Sequence, residues 1–299
     1  MAVVALVPNF SEGRRADVMD AIVDALRVPG ARLLYRQGDV DHNRLDTTLA
    51  AGSVEPLIAS ALAGVRVAAE HIDMDRHKGG HPRMGAADVI PFVPIRGIGM
   101  DECVEAARET ARRIGEELGV PVYLYGEAAL VPERRSLAEV RRGQFEGLRR
   151  AVERGERLPD LGPHRIGRAG ATAVGARKPL VAFNVYLTGE EPQAKEIASE
   201  LRESGGGLPT LRAIGFAIPD RGCVTVSMNL TDHEVVATQS AFDAVREAAA
   251  ARGLEVLDSE IVGLVPAASL PEDPEASILL RGFDPATQIF ENAMEEETS

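Results

Sequence analysis

Val3-Val4-Ala5-Leu6-Val7 is an apolar run stopped by Pro8, and it leads into Ala16–Arg27, where Met19, Ile22, Val23 and Leu26 recur on one helical face. The pair predicts a strand followed by a helix. Reading outward, Ala31–Arg36 and Thr47–Ala51 are predicted strands around a polar loop. Pro56–Glu70 is a predicted helix carrying Leu57, Ile58, Leu62, Val65 and Val67, and a strand follows within Ala87–Ile95. The order is βαββαβ. A helix over Asp101–Leu118 and a short strand Val122–Tyr125 extend it, and Ser136–Arg154 reads as a helix crowded with arginine and glutamate on a solvated face.

From Gly155 to Lys178 the pattern dissolves into glycine, proline and arginine, the composition of a linker or a binding loop. Beyond it the alternation restarts: Leu180–Leu187 strand, Pro192–Glu203 helix, Leu211–Ala217 strand, Cys223–Leu230 strand, Asp232–Arg252 helix and Ile261–Val265 strand. This is βαββαβ again, the split βαβ arrangement in which two crossover helices lie on one face of an antiparallel sheet. The expected fold is therefore α/β in composition and α+β in layout. It consists of two ferredoxin-like βαββαβ modules, mostly antiparallel, with helices on one face. Residues 1–160 form the first, 161–178 the connecting loop and 179–299 the second. The acidic run Glu295–Glu297 reads as a frayed tail.

With 299 residues, 45% of them hydrophobic, the chain can bury one large core or two ordinary ones. Its 46 acidic residues outweigh 33 basic ones for a net charge of −13, which argues against nucleic acid and anionic membrane surfaces as partners. The start lacks a charged leader and no apolar run nears the roughly 20 residues that span a bilayer. The expected location is the cytoplasm. Cys103 and Cys223 stand alone and read as buried filler. Lysine occurs only at positions 78, 178 and 195, so the other 30 cations are arginines and Lys78 stands out.

The densest chemistry lies in Arg76-His77-Lys78-Gly79-Gly80-His81-Pro82-Arg83-Met84-Gly85, five ionisable side chains set among glycines between a helix and a strand. Glycine permits close backbone approach, and a cationic lining suits anionic ligands. His71, His77 and His81 invite a zinc reading, but Gly79, Gly80 and Pro82 disfavour the helix that a four-residue histidine spacing needs. No Gly-x-Ser-x-Gly elbow occurs and neither cysteine neighbours the loop. General acid–base work by a histidine remains, because an imidazole with a reference pKa of about 6.5 can accept and return a proton near neutrality.

The stretches Val7-Pro8-Asn9-Phe10-Ser11-Glu12-Gly13, Asp41-His42-Asn43-Arg44, Asp73-Met74 with the His77–Gly85 loop, Val122-Tyr123-Leu124-Tyr125-Gly126-Glu127-Ala128 and Gly175-Ala176-Arg177-Lys178 resemble those of glutamate formiminotransferases, in the same order. That family transfers a formimino group from N-formimino-L-glutamate to tetrahydrofolate, in histidine degradation. The resemblance implies a stand-alone form without the cyclodeaminase domain of vertebrate members, a homodimer, tetrahydrofolate as co-substrate and no metal. It implies His81 as the catalytic base, which takes the proton of the attacking pteridine nitrogen and gives it to the departing amine.

The carboxylates of these substrates make Arg44, Lys78, Arg83 and Arg96 candidate receptors, with Asn9 and Asn43 as neutral partners and Asp39 or Asp41 opposite the cationic formimino group. Gly162, Pro163, His164, Arg165, Ile166, Gly167, Arg168, Ala169 and Gly170 resemble the folate-contacting segment, which would bridge the two modules. Where the family usually carries glutamate, this chain has Gly80, so a carboxylate able to orient His81 is missing. Other readings are a homologue using a formyl or formiminoglycine donor, an inactive folate-binding protein, and a metal-dependent amidohydrolase.

Overall fold

A computed structural model describes residues 2–295. Val3–Leu6 (β1) is buried along its length, and after Pro8 the chain resumes as Asn9–Phe10 (β2). Proline lacks the donor a continuous ladder needs. Its carbonyl is still used, accepting from both the backbone N–H and the Oγ1 of Thr47. Ala16–Leu26 (α1) buries Val18, Ile22, Val23 and Leu26, and Glu55–His71 (α2) buries Leu57, Leu62 and Val65. Both follow from the apolar spacing. Between them Arg32–Asp39 (β3) and Arg44–Ala51 (β4) form a hairpin, followed by Ala87–Arg96 (β5), Met100–Glu117 (α3) and Val122–Gly126 (β6).

The first sheet begins with β3, β4, the β1 and β2 segments, and β5, all antiparallel. That is the expected split βαβ order. Beyond β5 the sheet turns parallel, and here the sequence expectation needs correction. Thr172–Ala176 (β7), inside the segment read as a loop, is a fully buried strand between β5 and β6 and parallel to both. The first compact unit therefore runs through Arg177 and the second starts at Lys178. The strand is hard to read because close packing on both flanks selects small residues: a Cβ at Gly175 would collide with the Tyr125 carbonyl.

A second difference lies in 136–154. The expected single helix is two, Leu137–Val140 (α4) and Gln144–Glu153 (α5), separated at Gly143, whose φ of 82° only glycine adopts readily. The break matters because it presents Arg141.

The second unit repeats the order: Val181–Leu187 (β8), Glu191–Leu201 (α6), Leu211–Ile218 (β9), Cys223–Leu230 (β10), Thr238–Ala250 (α7) and Val256–Val262 (β11), in an antiparallel sheet ordered β11-β8-β10-β9. Phe183, Val185, Ile197, Phe242 and Val245 share its core, so α6 and α7 cover one face. Helix α7 starts later than expected because Asp232 caps a turn, its side chain accepting from the Glu234 N–H. The last strand starts earlier, at Val256 rather than Ile261. Both cysteines are free and buried. Of the expected tail, Glu295 closes a short helix and the rest lies outside the described residues. No helix among the described residues is long and apolar enough to cross a membrane.

Candidate active site

Gly79 lets the loop of residues 76–85 lie flat on the tip of the β3–β4 hairpin. A Cβ at Gly79 would collide with the His42 carbonyl, and the Gly80 N–H donates to the Asp41 carbonyl at 3.1 Å. Asn43 stitches the pieces together from a left-handed backbone (φ 50°) that asparagine tolerates. Its Oδ1 accepts from the Gly13 N–H at 2.9 Å, its Nδ2 donates to the Lys78 carbonyl at 3.0 Å, and its own carbonyl accepts from His77 Nε2 at 3.0 Å. Asn43 is thus spent on architecture.

Beneath the loop lies a buried charge cluster. Asp88, at the start of β5, is fully buried and accepts from Arg44 Nη1 at 2.9 Å, from Arg141 Nη2 and from the Met84 N–H at 2.8 Å. Complete burial opposes its charge, yet Arg141, Arg44 and these hydrogen bonds hold its pKa below the ordinary carboxylate value. Arg44 also donates to Asn9 Oδ1 at 2.6 Å and Asp46 Oδ1 at 3.1 Å, so both predicted residues are present but engaged with one another. Arg141 Nε is buried without a partner among the described residues.

His81 stands next to this cluster. Its Nδ1 lies 2.6 Å from the Pro82 carbonyl, which can only accept, so Nδ1 carries the proton and Nε2 presents its lone pair. Burial, then the Arg44 and Arg141 charges, pull its pKa from the ordinary 6.5 down to about 4. The imidazole is neutral at pH 7.

The other predicted residues divide. Arg83 is buried and donates to Gln144 at 2.8 Å and to both oxygens of Glu146 at 3.0 and 2.6 Å, so it anchors the loop to α5. His77 lies between Asn43 and Arg83 with its pKa lowered by burial. Lys78 and Asp41 are exposed at the loop and the hairpin tip. Asp39 is already occupied: Oδ1 accepts from the His42 N–H at 2.7 Å and Oδ2 faces His42 Nδ1 at 2.8 Å. Arg96 ends β5 eight residues beyond Asp88, roughly 26 Å at strand rise, so the structure does not bring it to His81.

The segment 162–170 is laced onto the same loop. Arg168 and Ala169 carbonyls accept from Met74 and Ala86 N–H groups at 2.9 and 2.8 Å, and Arg168 Nη2 donates to the Glu70 carbonyl. Ile166 is buried, Gly162, Pro163, His164 and Arg165 are exposed, and Gly167 accepts from Arg149. Gly170 packs on Gly85. Alanine at Gly85 would drive its Cβ into the Ala171 backbone, so Gly85→Ala should cost about 1–3 kcal/mol, read as a lower denaturant midpoint. Arg168 and Asn43 line one cavity of about 510 Å³ with Arg14, Arg15, Arg76 and His77. Among the described residues no three His, Cys, Asp or Glu side chains converge as metal ligands would.

Residues 3–177 match the family described as "Formiminotransferase domain, N-terminal subdomain", and residues 182–275 match "Formiminotransferase domain". The chain belongs to the formiminotransferase family. It is 44% identical over 300 residues to the glutamate formimidoyltransferase of Thermoplasma acidophilum, covering 99% of this chain and 98% of that protein. It is also 44% identical over 293 residues to the enzyme of the same name from Streptococcus pyogenes serotype M1, covering 97% and 98%. A rat formimidoyltransferase-cyclodeaminase matches 89% of this chain at 44% identity, over 51% of its own length.

Within this formiminotransferase fold, sequence reasoning missed Asp88 and Arg141. Asp88 left a signal, a lone carboxylate opening an apolar strand, which is tolerated in a core only when paired. Arg141 left none, being one arginine among many whose position depends on the break at Gly143.

Proposed function

We propose that this chain transfers the formimino group of N-formimino-L-glutamate to tetrahydrofolate with His81 as the general acid–base residue. One observation carries the reading: a neutral imidazole with a free Nε2 beside two arginines, Arg44 and Arg141, that meet on the buried Asp88. The similarity to two full-length glutamate formimidoyltransferases supports the same activity.

The pteridine N5 attacks the formimino carbon and a tetrahedral species forms. The carbon's bond to the glutamate nitrogen then breaks, and one proton moves from N5 to that nitrogen. His81 Nε2 accepts the first proton. Exposed Lys78 is a cation at the loop for a substrate carboxylate. We assign folate contact to the segment 162–170, whose ties to Met74 and Ala86 hold it against the loop. Family resemblance carries the expectation of a homodimer working in the cytoplasm, which sedimentation and cell fractionation test.

The deciding assay supplies tetrahydrofolate and formiminoglutamate in the presence of excess chelator and follows product after acid conversion to its absorbing methenyl form. Product formation is expected. Its absence with this donor, alongside product from a formyl or formiminoglycine donor, overturns the assignment.

A further inference from the structure

His42 shares the tip of the β3–β4 hairpin with Asp39 and meets His81 edge-on, ring centroids 6.1 Å apart at an interplanar angle of 87°. The Asp39 carboxylate grips it twice, accepting from its backbone N–H at 2.7 Å and standing 2.8 Å from Nδ1. A carboxylate can only accept, so Nδ1 carries a proton and Nε2 remains for exchange. This is the carboxylate–imidazole arrangement in which one group fixes the tautomer and aim of another. Its side chain is 56% exposed, so the pair serves no packing need.

Gly80 places the loop against this pair. A Cβ there would sit 3.5 Å from His42 Cδ2, in ordinary contact, so the imidazole lies directly beside the loop that carries His81. Residues 76–85 contain no carboxylate of their own, and the adjoining hairpin supplies a carboxylate-backed imidazole. His81, held neutral at pH 7, is suited to accept a proton; the cation it forms is short-lived and need not be the group that reaches the departing amine.

We propose that His42 is a second catalytic residue, the general acid that protonates the departing glutamate nitrogen, with Asp39 as its positioning residue. The inference rests on the formimino-transfer reading. As the new N5–carbon bond forms, the N5 proton passes to His81 Nε2. As the carbon–nitrogen bond to glutamate breaks, the nitrogen takes the proton of His42 Nε2. Solvent returns a proton from His81 to His42, so one proton has moved from N5 to the amine and none is created or lost. The charged and titratable groups around His42 are Asp39 and Asp41 of its own hairpin, Arg14, whose Nε donates to the Val40 carbonyl at 2.9 Å, and Lys78 and His81 of the loop.

The test compares wild type with His42→Gln, His42→Ala and Asp39→Asn in the chelated assay across pH. We expect kcat to fall about 10²-fold in both His42 variants with KM for either substrate within about twofold. The alkaline limb of the kcat profile, where the acid loses its proton, should vanish in His42→Gln. Added imidazole should raise the rate of His42→Ala, since the site is open to solvent. Asp39→Asn should lower kcat and leave KM unchanged. An active wild type whose His42 variants keep its kcat, or lose kcat but keep the alkaline limb and gain nothing from imidazole, overturns the proposal alone. A wild type that transfers no formimino group overturns the functional reading beneath it.

Discussion

Replacing His81 with alanine lowers turnover by about two to four orders of magnitude while folate affinity stays nearly unchanged. The side chain projects from a loop whose anchors lie elsewhere, in Asn43, Arg83 and the segment 162–170, so the substitution removes chemistry without removing the loop. Wild-type kcat should fall on the acid side only as pH drops through about 4, because the base is already unprotonated above that value. The same depression has a stability consequence of fixed sign. The unfolded histidine binds its proton near 6.5 and the folded one near 4, so stability falls as pH is lowered across that interval. A His81→Ala protein that keeps wild-type turnover removes the residue from the mechanism.

Asp88→Asn should be the most damaging conservative change in the chain, at about 3–5 kcal/mol, because it takes from Arg44 and Arg141 the buried carboxylate on which they meet and leaves Arg44 only the half-exposed Asp46. The loss should appear as a lower urea midpoint at unchanged slope. Acid should mimic it. The Asp88 pKa lies below the ordinary 3.8, so its contribution is fully present above that value and is lost as pH falls through the lower, folded one. A variant as stable as wild type would mean that water, not Asp88, balances the arginines.

What the sequence made legible follows from periodicity. The runs Val3–Val7 and Cys223–Leu230 and the spaced apolar residues of Ala16–Arg27 obey rules local to a few residues, and they appear in the structure nearly as read. The His77–Gly85 loop stood out because glycines and ionisable groups rarely crowd together without reason. Thr172–Ala176 stayed hidden because its composition answers to two neighbouring strands and not to its own propensity. The chemistry of Arg44, Asn9, Arg83 and Asn43 marks them as important, yet the structure commits their polar atoms to other side chains or to the backbone. Side-chain type reveals that a group must be paired; only the fold reveals with what. Asp39 is the sharpest case, expected opposite a cationic substrate and found holding a histidine.

The placement of β7 also dictates an order of events during synthesis. β5 and β6 do not pair with each other; each hydrogen-bonds to β7, which is translated about fifty residues after β6. Until the ribosome has released the chain beyond Ala176, two apolar strands face an unfilled gap with unpaired edges, the kind of surface that recruits other chains. The nascent protein thus passes through a vulnerable interval that ends only when its last small-residue strand slides between them, and cutting the gene at residue 160 would make that interval permanent.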